Sequence, residues 1–261
     1  MVLKGRTLPE PASYRQRRYR LQAGEESSDT ATFNVKINES DLLIRAADAG
    51  LRKMAGERLM YYRHQLEVFL AQFPEVRFQL SPFKIPEQVL VPDIVATMVA
   101  AAGKAGVGPM AAVAGVLAEA VGRDLLAASP VVMIENGGDV FLAGACSYTV
   151  GIFAGRSPFS DRLGIRLKRP EKFSAGICTS SATVGHSLSL GKADAMCVYA
   201  DSAAFADALA TAMGNRIRSV DDLNIVVEDA LAFDSVHGAV AILGDKLAAA
   251  GEVELIPLSP R

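Results

Sequence analysis

Val131-Val132-Met133-Ile134, then Glu135-Asn136-Gly137-Gly138-Asp139, then Val140-Phe141-Leu142, is the stretch whose reading decides the fold. A continuous apolar run of strand length, closed by turn residues, reads as a strand covered on both faces. Asn-Gly is the strongest two-residue hairpin signal, and a second apolar run follows at once, so the chain is expected to reverse here. The two glycines carry a further meaning. Lacking a Cβ, they let backbone amides approach a ligand such as a diphosphate, with Asp139 or Glu135 available to a ribose or a metal. A turn can also be a binding loop, and both readings stand.

Downstream the same texture continues. Short apolar runs at 148–153, 163–167, 175–178, 195–199, 239–243 and 253–256 read as strands, interrupted by two helices at 202–213 and 219–228. Upstream the period changes. Leu51, Met54, Leu59, Tyr62, Leu66, Phe69 and Leu70 recur every three to five residues, which predicts a helix over 47–73 that Pro74 ends. Two further helices are expected at 86–102 and 109–126, each opening on a proline. Gly115 and Gly122 within the second would let it approach a sheet or a ligand closely. Near the start, 14–21 and 31–37 read as an antiparallel pair across the polar stretch Gly24–Asp29, with a short strand at 41–44. Helices grouped early and strands grouped late predict an α+β fold. The expectation is one domain over 1–261: a mixed sheet with packed helices and two intimately associated lobes. The N-terminal hairpin and long helices would occupy about 1–129, and the strand-rich lobe about 130–261.

Composition narrows the function. Half of the 261 residues are hydrophobic, 21% are charged and the net charge is −2, so a large core is expected and a nucleic-acid partner is not. Arg15, Arg17, Arg18 and Arg20, interleaved with Tyr14 and Tyr19, are a local exception, read either as a phosphate-contacting patch or as a charged strand. Cys146, Cys178 and Cys197 are too few and scattered for a disulfide framework or a structural zinc site. No uninterrupted apolar run reaches the roughly 18 residues a membrane span requires, and none opens the chain as a signal would, so no membrane partner is expected and the cytoplasm is the expected compartment.

Two more segments bear chemistry. Cys178-Thr179-Ser180-Ser181-Ala182-Thr183-Val184-Gly185-His186-Ser187-Leu188-Ser189-Leu190-Gly191-Lys192-Ala193-Asp194 carries six hydroxyls, a histidine, two glycines and a lysine between two expected strands. It reads equally as a ligand-binding loop for phosphate or carbonyl groups and as a polar surface loop. In the helix Ala203-Ala-Phe-Ala-Asp207-Ala-Leu-Ala-Thr211, Asp207 and Thr211 stand at i and i+4 on one face. They could offer oxygens to a hard cation such as Mg²⁺. Alternatively, Thr211 bonds its own backbone and Asp207 faces water.

Taken in order, Asn136-Gly137-Gly138-Asp139, Thr179-Ser180-Ser181 and Asp207-Ala-Leu-Ala-Thr211 resemble the motifs of the ApbE family, the FAD:protein FMN transferases. A fuller pattern is closer to an uncharacterised ApbE-like branch and covers nearly the whole chain. It comprises Glu39-Ser-Asp41-Leu-Leu-Ile44, Gly108-Pro109-Met110, Glu135 and Gly185-His186-Ser187-Leu-Ser189-Leu-Gly-Lys192-Ala-Asp194. The resemblance implies FAD held between two lobes by Asn136, Gly137, Gly138, Asp139, Thr179, Ser180, Ser181, His186 and Ser187. It further implies Mg²⁺ held partly by Asp207 and Thr211, and transfer of the FMN half to a threonine hydroxyl of an acceptor protein. A homodimer is the expected assembly. Family helices carry a Lys-Gly pair where this chain has Gly108-Pro109-Met110-Ala-Ala-Val-Ala-Gly115, and Ser181 stands where the family has glycine. A non-catalytic nucleotide- or flavin-binding accessory protein is the alternative those departures leave.

Overall fold

The computed structural model describes residues 30–145, 147–167, 174–183 and 189–258. The arginine cluster, the expected strand over 14–21, Cys146, His186 and Ser187 lie outside the described residues.

Eight strands form the main sheet, in the order β1 (Ala31–Ile37), β2 (Ser40–Ala46), β3 (Val132–Asn136), β4 (Asp139–Ala143), β7 (Ser174–Ser180), β8 (Ala195–Ala200), β9 (Val236–Leu243) and β10 (Lys246–Gly251). Every neighbouring pair is antiparallel. Between β4 and β7 the chain leaves to build a second sheet from β5 (Tyr148–Gly151), β6 (Leu163–Leu167) and β11 (Glu254–Pro257). Helices α1 (Arg52–Gln72), α2 (Asp93–Ala105), α3 (Val113–Leu125), α4 (Ala203–Arg216) and α5 (Asp222–Leu231) complete the described fold.

The alternation of side chains along the central strands explains why they read as continuously apolar. Val132, Ile134, Phe141, Cys178 and Val198 face the helices in one core. Met133, Val140, Leu142, Ile177, Cys197 and Tyr199 pack with Tyr148, Val150 and Ile165 of the small sheet, and with Ile152 just past β5, in another. A strand covered on both faces has no polar side to show. The mixed α+β architecture expected from the sequence is the one observed.

Several boundaries differ for local reasons. The described partner of β1 is β2, reached through a two-residue turn with Asn38 at φ 51°. The helix expected from Pro86 begins at Asp93. Pro92 takes an extended ψ of 153° as its N-cap, and a helix running through it would carry an interior proline. Residues 109–112 form a 3-10 turn before α3 begins. Strand β10, Lys-Leu-Ala-Ala-Ala-Gly, was not expected, since alanine has little strand preference; its register on β9 supplies the pairing.

Helix α4 lies on β7 and β8, with α2 and α3 against its other sides. Its start is fixed by Ser202, which accepts the Phe205 amide, and by buried Glu119 of α3. Glu119 accepts from the Ser202 hydroxyl at 2.8 Å and the Ala204 amide at 3.2 Å, and its other oxygen binds Arg123 at 2.7 Å. A carboxylate from one helix thus caps the next, satisfying amides that have no partner within their own helix. Glu119→Gln is expected to lower stability by about 1 kcal/mol in urea denaturation, since the amide keeps one acceptor but loses the charge.

Candidate functional site

The β3–β4 turn is built from its glycines. Asn136 pairs with Asp139, leaving Gly137 and Gly138 at φ 70° and 108°. Both central residues lie in the left-handed region, as the two-residue hairpin with matching twist requires. Glu135 braces the turn by accepting the Gly138 amide at 2.8 Å, and Asn136 ties it sideways by donating to the Ala114 carbonyl at 3.1 Å, just at the start of α3. A Cβ on Gly138 would stand 3.7 Å from the Thr179 carbonyl, so the turn lies beside the end of β7.

Asp139 opens β4 opposite Cys178 of β7 and is only 8% exposed. Burial, reinforced by the charge of Asp207, pushes its carboxyl well above the usual carboxylate range; the Cys178 thiol and Thr179 amide draw it partly back. Asp207 reaches the same place from α4. Burial raises it to about 7, opposed by the Gly115 and Ala114 amides of α3. Gly115 donates to its Oδ2 at 2.9 Å. The approach is possible because Gly115 has no side chain: a Cβ there would stand 2.2 Å from the Ala203 carbonyl and 2.8 Å from the Asp207 Cβ. Two acidic groups, Asp139 buried and Asp207 half-buried, therefore stand together between a glycine hairpin, a strand end and two helices. Neither forms an ion pair among the described residues.

Thr211 follows one turn after Asp207 and is half-buried. Beyond it the last turn of α4 meets the end of β7, where a Cβ on Gly214 would be 3.8 Å from the Ser180 hydroxyl. Asn215 accepts the Leu190 amide at 2.8 Å. Gly191 presses on the same turn, where a Cβ would meet the Gly214 carbonyl at 2.0 Å. Ser180 and Ser181 are half-buried, and Thr183 is exposed. Among the described residues, no group of three or more His, Cys, Asp or Glu side chains is arranged to hold a metal ion.

Of the residues singled out in the sequence, Asn136, Gly137, Gly138, Asp139, Thr179, Ser180, Asp207 and Thr211 share this neighbourhood, with Ser181 just beyond the end of β7. His186 and Ser187 are outside the described residues. The structure adds the backbone amides of Ala114 and Gly115, and it places the Cys178 thiol, buried, beside Asp139. Gly115 inside an alanine-rich helix was the available signal, but a sequence does not say which carboxylate its amide meets.

The family model described as "AbpE bacteria" matches residues 23–245. The chain belongs to this family. A UPF0280 protein of Methanocella arvoryzae is 39% identical over 226 residues, spanning 86% of this chain and 90% of its own length. One from Methanocaldococcus jannaschii is 38% identical over 230 residues, spanning 86% and 93%. Among solved structures, the ApbE protein of Thermotoga maritima superposes with a TM-score of 0.53 at 14% identity, over 84% of this chain and 96% of its own. The flavin transferase ApbE from Vibrio cholerae does so at 0.52 and 11% identity, over 85% and 96%. The AbpE-family chain thus has the ApbE fold, with a sequence closer to the UPF0280 proteins. No single described helix is long and apolar enough to cross a membrane; α2 with 109–125 reaches that composition only as a pair bent by 104°.

Proposed function

We propose that this chain binds a flavin nucleotide, FAD or a close relative, together with Mg²⁺, and transfers the FMN half to a protein hydroxyl. The observation that carries this reading is the Asp139–Asp207 pair: two acidic groups, with no cation paired to either among the described residues, beside a glycine hairpin whose backbone carries no side chains. The donor set fits the cation. Mg²⁺ is commonly held by one or two carboxylates plus substrate phosphates rather than by an all-protein cage, which agrees with the absence of a three-ligand cluster among the described residues. Asp207 with Thr211 would hold it, with Asp139 alongside. When bound, the cation supplies compensation for charge on a diphosphate. Gly137 and Gly138 leave the hairpin backbone open to phosphate oxygens, and Thr179, Ser180 and Ser181 offer hydroxyl donors along the adjoining strand end. The name of the Vibrio neighbour, a flavin transferase, supports the same direction.

A second reading, flavin binding without transfer, is favoured by one feature: residues 108–115 hold no lysine where transferases of this type carry one. Titrating FAD against the protein with and without Mg²⁺, read by flavin fluorescence, tests the shared part. Saturable quenching that weakens at least tenfold in EDTA is expected. No quenching at any FAD concentration would remove the proposal. AMP release in the presence of hydroxyl-bearing acceptor proteins separates transfer from binding alone.

A further inference from the structure

We infer that Thr183 of this chain is itself a covalent acceptor, its hydroxyl activated by Asp194. Three groups stand in line. The Thr183 hydroxyl donates to Asp194 Oδ1 at 3.1 Å, and Asp194 Oδ2 accepts the Gly244 amide at 2.7 Å. A nucleophile within hydrogen-bond reach of a base, the base itself oriented by a third group, is the arrangement by which weak hydroxyl nucleophiles are activated.

Burial sets this pair apart from the other hydroxyl–carboxylate contacts among the described residues. Asp194 is 9% exposed while Thr183 is exposed, so a buried carboxylate faces a hydroxyl on a solvent-exposed residue. Ser202 on Glu119 is half-buried and spent on a helix cap, Ser219 on Asp222 is an exposed cap, and the Tyr62 phenol donates at 2.8 Å to Asp124, a half-buried carboxylate. The backbone holds Thr183 in place. Ala182 donates to the Ala193 carbonyl at 2.9 Å, Asp194 donates to the Ile242 carbonyl at 2.9 Å, and the Thr183 amide donates to the Ser181 hydroxyl at 3.2 Å, with the two hydroxyls 3.3 Å apart. Thr183 also lies three residues past Ser180, the last residue of β7, the strand whose end borders the acidic pair.

The inference rests on the flavin reading, and it makes the protein its own acceptor. A bond forms between Thr183 Oγ1 and the phosphorus of the FMN half of FAD, and the diphosphate P–O bond to the AMP half breaks. Asp194 takes the threonine proton, and AMP leaves with the electron pair. No oxidant or other reactant is required.

The test incubates the purified protein with FAD and Mg²⁺ and follows intact mass, AMP release and flavin fluorescence separately. A gain of one FMN less one water, mapped by peptide mass spectrometry to Thr183, is expected. Thr183→Ala abolishes it with FAD binding unchanged, Thr183→Ser retains it, and Asp194→Asn slows it by about a hundredfold without weakening binding. FAD binding without an adduct, or an adduct on another residue, overturns the inference and leaves the flavin reading intact. Absence of FAD binding overturns both.

Discussion

Asp207→Asn is expected to abolish Mg²⁺-dependent flavin binding while making the ligand-free protein more stable at pH 8, by roughly 1–3 kcal/mol. The two effects have one cause. Burial lifts Asp207 to about 7, and its charge lifts Asp139 further. Asparagine still presents an oxygen to the Gly115 amide, so the bond between α3 and α4 survives. What disappears is a charge that is expensive to form in that enclosure and that a cation requires. Loss of binding without the gain in stability would show that Asp207 is held ionised by a group other than a bound cation.

The pH dependence follows with a definite sign. An acid raised in the folded state keeps its proton there after the unfolded chain has lost it. Its stabilising contribution is complete below about pH 4 and falls away as the pH rises through about 7. Urea midpoints of the metal-free protein should decline across that window, and less steeply in Asp207→Asn. Mg²⁺ acts oppositely, because it binds the carboxylate. Its affinity should weaken about tenfold for each unit below pH 7, a trend isothermal titration would read directly.

Much of this arrangement was legible before any coordinates. The run Val131–Ile134 and the Asn-Gly-Gly-Asp turn predicted a doubly covered hairpin, because period-two burial on both faces leaves no polar alternation and Asn-Gly fits the required backbone. Asp207 and Thr211 declared themselves as oxygens on an otherwise apolar helix. What the sequence withheld was pairing at a distance. Asp207 meets the Gly115 amide across 92 positions of chain, and Asn136 meets the Ala114 carbonyl across 22. Neither contact leaves a local pattern. Strand β10 was illegible for a different reason: its alanines carry no strand preference, and only the neighbouring β9 makes them one.

Gly115→Val should be strongly damaging at the site. A Cβ at this position would fall 2.2 Å from the Ala203 carbonyl, and the obstacle is backbone rather than the tip of a flexible side chain. Relief requires α3 to withdraw from α4. That movement lengthens the Gly115–Asp207 bond and draws Ala114 away from Asn136, so it reaches the hairpin as well as the helix. Overpacking inside a core typically costs 1–3 kcal/mol, and a clash against fixed backbone belongs at or above the top of that range. The expected result is a loss of about 3 kcal/mol or more in urea denaturation, and flavin binding weakened at least tenfold in whatever fraction still folds. Gly103→Val is the matched control. It lies within α2, where a Cβ meets nothing within 4 Å, so it carries only the propensity difference of the new side chain. If the two variants behaved alike, the close approach of α3 to α4 would not be what positions Asp207, and the acidic pair would have to be held by β4 and α4 alone.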